Sequence, residues 1–377
     1  MYRFLGGTDG AYPQGVIQGD DGNLYGVTSQ GGNMACGGGI GCGTVFEISS
    51  TGEKTTLHIF EYQGEGTYPT GSLFRDSAGN LYGTTESGGS HNYGVVFKLS
   101  PKGKLTLLHQ FADETDGAYP QNVRLIPDDS GNLYGTAGGG GDLNCFPPYG
   151  CGVVFKLAPD GTETVLHAFH GMPDGWGPFS GLTRDDQGNL YGTTPEGGSV
   201  SGDNCTGGCG TIFKIASDGT ETVLHSFDGA GGGFFPDNPP LLDKAGNLYG
   251  TTIEGGNLSQ SCPVGCGVIY KLATNGSFKI LYAFSGGADS FYPEGGLRMD
   301  SRGNLFGNTS GSRGSPGTVF RLAPNGEEHT LHTFSHSDGI HPDSRLVTDG
   351  VYWYGTTYQG GGGRHPRSHG TVFKISK

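Results

Sequence analysis

Short apolar runs alternate with glycine-rich breaks along the whole chain. In one stretch, Gly71-Ser72-Leu73-Phe74-Arg75-Asp76 alternates apolar and polar positions and predicts a first strand. Ser77-Ala78-Gly79-Asn80 predicts a turn, because Gly admits positive φ. Leu81-Tyr82-Gly83-Thr84-Thr85 predicts a second strand, followed by a glycine-rich loop over residues 87–94. Val95-Val96-Phe97-Lys98-Leu99 predicts a third strand, and the run over residues 105–111 a fourth. No window long enough for a helix carries a 3.6-residue apolar period.

The unit repeats. Gly79-Asn80-Leu81-Tyr82-Gly83-Thr84-Thr85 returns with small changes from Gly22, Gly131, Gly188, Gly246 and Gly303, and degenerately near Val351. Four antiparallel strands in roughly 50 residues are a propeller blade, since a β-helix uses much shorter coils. Seven copies predict an all-β, seven-bladed β-propeller forming a single domain over 1–377. The blades are expected near residues 10–60, 61–111, 112–169, 170–227, 228–284, 285–334, and 335–377 plus 1–5. The last repeat stops after Gly370-Thr371-Val372-Phe373-Lys374-Ile375. Its missing fourth strand matches Tyr2-Arg3-Phe4, which predicts a ring closed by the N-terminal strand with no open sheet edge.

The recurring Gly-Asn-Leu-Tyr-Gly-Thr-Thr, the Gly-Gly loop, Gly-Thr-Val-Phe-Lys-Leu and the Pro-Asp-Gly turn resemble the Gloeo/Verruco (GloVer) tandem repeat of exported bacterial proteins. The resemblance covers essentially the whole chain, because the motif recurs in register. It implies a secreted or surface-attached propeller. It implies no established activity and no catalytic residues.

Composition narrows the partners. The 76 Gly and 20 Pro make up about a quarter of the 377 residues, near the low-complexity range, but the regular apolar offsets require a packed core. No apolar stretch is long enough for a membrane span. Met1 leads straight into Tyr2-Arg3-Phe4, so if the protein is exported its signal is expected to have been removed. A net charge of −14 with no basic stripe argues against nucleic acid and against an anionic membrane surface. A monomer is expected.

The eight cysteines form four close pairs, Cys36/Cys42, Cys145/Cys151, Cys205/Cys209 and Cys262/Cys266, each at the same place in its repeat. Zinc needs four converging ligands, which two Cys on one loop do not supply. Local disulfides are expected, and with them a secreted, cell-surface or periplasmic location.

In such a blade the first-to-second and third-to-fourth hairpins share one face. The second-to-third loops and the blade crossings share the other. That second face carries the length variation and all eight cysteines, so function is expected there. The fourth strand repeats a His at 58, 109, 167, 225 and 332, with Tyr2 and Tyr282 in the other two blades. These read as packing with one hydrogen bond each. The Asp-x-x-Gly-Asn turns at Asp76, Asp128, Asp185, Asp243 and Asp300 read as capped β-turns and not as calcium loops.

Most crossings carry an aromatic-Pro pair: Tyr12-Pro13, Tyr68-Pro69, Tyr119-Pro120, Phe235-Pro236 and Tyr292-Pro293, with His341-Pro342 in blade seven. Blade four departs as Trp176-Gly177-Pro178-Phe179. Two readings stand: a ring of aromatics that stacks on sugar, with Trp176 foremost, or wedges between blades. The residue after the Pro is Asp237, Glu294 and Asp343 in blades five to seven. These carboxylates suit acid/base chemistry on a glycan or a divalent cation such as calcium. Blade seven also concentrates His336, Asp338, His341, Arg364, His365, Arg367 and His369, which suits an anionic sugar with His as base.

The expected function is binding of a carbohydrate or other extracellular polymer on the disulfide-pinned face. The ligand contacts are expected from Trp176, Tyr12, Tyr68, Tyr119, Phe235, Tyr292, Arg364 and His365. The alternative is a glycoside hydrolase or polysaccharide lyase using Asp237, Glu294, Asp343 and His341. A third reading is a structural surface protein. No cofactor is expected beyond that cation.

Overall fold

A computed structural model describes residues 1–61, 64–112, 115–198, 205–229, 231–260, 262–311, 315–362 and 369–377. Seven four-stranded antiparallel sheets form a ring; in six of them the strands run in sequence order, and the seventh adds the N-terminal strand at its edge. Blade one is Ala11–Gln18, Leu24–Gln30, Thr44–Ile48 and Lys54–Ile59. Blade seven takes Val347–Thr348, Tyr352–Thr357 and Thr371–Ser376 from the C-terminal end of the chain, and Tyr2–Arg3 as its outermost strand. Tyr2 pairs with Val372 and Arg3 with Thr371. The propeller is therefore closed by its N-terminal strand, as the sequence predicts. No helix among the described residues is long and apolar enough to cross a membrane.

The repeat motif explains itself in the core. A Cβ placed on Gly83 would stand 2.7 Å from Phe97 Cζ and 2.9 Å from Leu73 Cδ2. The Gly of Leu-Tyr-Gly therefore leaves the hole that the Phe of Val-Phe fills, and Gly26/Phe46 and Gly135/Phe155 repeat the fit at 2.6 Å. These Phe rings are fully buried, and each meets the Phe that ends the previous blade, as Phe60 meets Phe97 edge-on at 5.2 Å. Such close packing leaves little tolerance for added volume.

The turn Asp residues are fully used. Asp76 Oδ1 accepts the N–H groups of Ala78 and Asn80, and Oδ2 accepts Asn80 Nδ2 at 2.7 Å and the Tyr82 hydroxyl at 3.0 Å. The same set recurs at Asp128, Asp185 and Asp243. These are capped turns. The fourth-strand His residues are tethers: His167 Nε2 lies 3.1 Å from Asp174 Oδ2, which also accepts the His170 N–H. Tyr2 makes the equivalent bond to Asp9, and Tyr282 to Asp289.

Candidate functional site: a stapled loop face and a charged channel

All four predicted disulfides are formed, and no cysteine is free. Their placement has a consequence at the joint between blades. The carbonyl of the second Cys of each pair accepts a hydrogen bond from the next blade. Tyr68 N–H donates to Cys42 O at 3.0 Å, Gly177 to Cys151 at 3.0 Å, Phe235 to Cys209 at 3.2 Å and Tyr292 to Cys266 at 3.0 Å. Where no disulfide exists, Tyr119 donates to Tyr93 O, His341 to Pro316 O and Tyr12 to His369 O. All seven seams thus carry the same staple.

The staple places its donor in the left-handed region: φ is 58° at Tyr12, 56° at Tyr68, 57° at Tyr119, 56° at Phe235, 62° at Tyr292 and 56° at His341. Only blade four uses a glycine there, Gly177 at 67°. A non-Gly residue held this way costs about 1–3 kcal/mol, so each seam is strongly determined by its surroundings. The following Pro packs on the Gly after the second Cys: a Cβ on Gly43 would stand 2.4 Å from Pro69 Cδ, and one on Gly267 2.5 Å from Pro293 Cδ.

Of the aromatics expected to bind ligand, Tyr12, Tyr68, Tyr119, Phe235 and Tyr292 are half-buried at these seams. Tyr12 stacks on Tyr358 at 4.7 Å, and Phe235 packs on Phe234 at 5.1 Å. Trp176 is not at the staple position, which Gly177 occupies, but one residue earlier, pairing with Glu196. Its ring lies 4.5 Å from Phe146, which neighbours Tyr149 at 6.1 Å. Phe146 and Tyr149 lie between Cys145 and Cys151 and are 45% and 53% exposed. They are the only exposed Phe, Tyr or Trp rings among the described residues. Gly207 sits against the Trp176 ring, and a Cβ there would be 2.6 Å from Glu196 Oε2 and 4.0 Å from Trp176 Cζ3. The result is an aromatic platform with a carboxylate at its side. The break in pattern marks Trp176 in the sequence. Nothing there marks Phe146 and Tyr149, because they lie in a loop whose length and content vary from blade to blade.

Asp237, Glu294 and Asp343 do converge, but inside the central channel. They line a cavity of about 900 Å³ with Gln14, Asn238 and Ser344. The side chains touch the channel space yet sit deep within the protein. Burial, then the neighbouring Glu294, pushes Asp237 up to about 7. The same two causes raise Asp343 well above the usual carboxylate range, and burial raises Glu294. Asp343 Oδ1 has no hydrogen-bond partner among the described residues. His341 turns away, its Nδ1 3.0 Å from Ser310 O. His336 is exposed, and Asp338 holds His332 at 2.8 Å. Burial lowers His369, as does nearby Arg3. Arg364, His365 and Arg367 lie outside the described residues.

The sequence pattern does not reveal the arginines at the other end of the channel. Arg298 begins the inner strand of blade six, while Arg124 and Arg345 just precede those of blades three and seven. All three line a second cavity of about 450 Å³, and Arg124 and Arg345 border the larger one as well.

The family model of the Gloeobacter/Verrucomicrobia repeat matches residues 1–147 and 146–373. The chain belongs to this repeat family. Among curated proteins no sequence match is found. Among solved structures, the chain is similar to the extracellular domain of a one-component system from B. thetaiotaomicron, with 10% identity and a TM-score of 0.57. That match covers 98% of this chain and 39% of the other. A gluconolactonase from Xanthomonas campestris is similar at 15% identity and a TM-score of 0.45, over 81% of this chain and 84% of the other. The likeness to the extracellular domain speaks to the propeller fold alone.

Proposed function

We propose that this Gloeobacter/Verrucomicrobia repeat propeller is an exported carbohydrate-binding module that uses the platform on blades three and four. The carrying observation is the exposed pair Phe146 and Tyr149, set against Trp176 and held within the Cys145–Cys151 loop. Flat apolar rings suit the C–H faces of a sugar, and the Glu196 carboxylate suits its hydroxyls. A disulfide-held loop loses little freedom on binding. The four disulfides support an oxidising location. A glycan array on the intact protein tests this reading. The expected result is a defined binder whose affinity falls about tenfold or more in Phe146→Ala, which removes an exposed ring and leaves the core untouched. An array with no binder, or equal affinity in Phe146→Ala, overturns it.

A second reading is favoured by one observation. Asp237, pushed up to about 7, holds its proton near neutrality, as a general acid must. Under that reading the channel carboxylates cleave the glycan that the platform holds. Asp237→Asn would then abolish product formation while leaving platform affinity unchanged.

A further inference from the structure

The channel is charged at both ends, with opposite signs that form no ion pair with each other among the described residues. The carboxylates of Asp237, Glu294 and Asp343 follow the staple prolines, near the loop face. Arg124, Arg298 and Arg345 follow Gln121, Glu294 and Asp343 in blades three, six and seven, further toward the hairpin face. No ion pair among the described residues involves any of the three arginines. Arg124 and Arg345 also border the larger cavity that Asp237, Glu294 and Asp343 line, without pairing with them, and the acidic groups of the smaller cavity are turned elsewhere. Asp300 accepts the N–H groups of Arg302 and Asn304 and the Asn304 amide, and Asp20 faces Arg75 at 3.8 Å.

Two of the guanidinium groups are held in place. Arg298 Nε donates to Leu346 O at 2.9 Å, and Arg345 Nε donates to Leu297 O at 3.2 Å. These reciprocal bonds across the seam of blades six and seven fix both planes and leave their other N–H groups available. Arg124 makes no hydrogen bond among the described residues, although it is the channel-exposed member of the three. Their charges repel. Burial, then Arg124, pushes Arg298 down to about 10, and burial, Arg298 and Arg124 push Arg345 down to about 9. Three clustered cations with no paired counter-charge, two of them half-buried, are unfavourable. The chain has only 22 Lys and Arg against 36 Asp and Glu, so an acidic partner would be easy to supply. Leaving this cluster unneutralised is the arrangement expected when a ligand brings the missing charge.

We propose that Arg124, Arg298 and Arg345 form an oxyanion-binding site at the hairpin end of the channel, for a sulfate, phosphate or carboxylate group on a small ligand. The site is separate from the aromatic platform and does not depend on it. Its size and the fork geometry of guanidinium favour a group with several equivalent oxygens.

Titration calorimetry of the intact protein with inorganic sulfate, inorganic phosphate and glucuronate tests the site, with thermal unfolding in parallel. The expected result is saturable binding of at least one of the three. The arms separate a tetrahedral oxyanion from a sugar carboxylate. Arg124→Gln is the decisive variant because that side chain holds no structural bond. It should weaken the anion by about tenfold or more. It should also raise the melting temperature of the anion-free protein, since a repelling charge is gone. A merely structural arginine would lower it. The site is overturned if the wild type binds none of the three anions saturably, or if Arg124→Gln binds as tightly as the wild type.

Discussion

Seams and channel lining are built from the same short stretch of chain, yet they obey opposite rules. At the seam the Pro and the hydrogen bond to the previous blade repeat seven times, and the backbone enters the left-handed region every time. One residue later the side chain is Gln14, Thr70, Gln121, Phe179, Asp237, Glu294 or Asp343, and Gln14, Asp237, Glu294 and Asp343 line the channel. Repetition here marks a mechanical requirement. Variety marks a surface freed from it. The contrast teaches where to cut: a seam change should damage stability, and a lining change should damage ligand response while sparing or improving stability.

The largest expected effect is at the seam. In Gly43→Ala the new Cβ would meet both Pro69 Cδ and Thr28 O at 2.4 Å, at a φ of 97°. Loss of about 3 kcal/mol is expected, read as a lowered midpoint in denaturant. A midpoint equal to the wild type would show that the seam yields easily and would erase the contrast.

Next is the disulfide behind a staple. Replacing Cys262 and Cys266 together by Ser removes a bridge spanning a sequence separation of 4. A loss of about 2 kcal/mol is expected from chain entropy. If the bridge also positions the staple, hydrogen exchange at the Tyr292 amide, bonded to Cys266 O, should speed up more than at Tyr119, whose acceptor Tyr93 has no bridge. Equal acceleration at both would confine the disulfide to its own loop.

The smallest effect concerns pH and the channel. Asp237 is raised in the folded protein to about 7 from its ordinary 3.8, so the folded state binds the proton more tightly. Its contribution is complete below the unfolded value and is lost as pH rises toward 7. Asp343 and Glu294 act with the same sign. Burial works to raise the turn residues Asp76, Asp128 and Asp185, but their hydrogen bonds outweigh it and lower them. Their contribution is therefore lost only as pH falls below the ordinary carboxylate range. Melting temperature should accordingly fall between pH 5 and pH 8 by a few degrees. Asp237→Asn should flatten that slope, and an unchanged slope would mean that the channel carboxylates titrate as if in water.

The repeat makes the architecture readable. Strand count, ring closure through Tyr2-Arg3 and the four Cys pairs all follow from residues that recur in register. Trp176 is readable because it interrupts a pattern. Its partners Phe146 and Tyr149 have no counterpart in other blades, so nothing in the repeat points to them. The three arginines are hidden for another reason. They sit at different distances from the seam aromatic, and only the curvature of the ring brings blades three, six and seven to a common axis. The role of Gly43 and its equivalents is equally out of reach, since Pro69 comes from the next blade.

The way the ring is closed carries a mechanical consequence. The polypeptide itself runs across every seam, including the one from blade seven to blade one, through residues 4–10. The only place where the circle is not covalent lies inside blade seven, between Thr371–Ser376 and the two residues Tyr2–Arg3. That junction is a clasp, and its pin is Phe4, which is 1% exposed, rests edge-on against Phe46 at 5.1 Å and donates its N–H to Gly370 O. Tension on the ring would therefore split one sheet rather than pull neighbouring blades apart, and a single aromatic side chain sets the force at which the circle becomes a line.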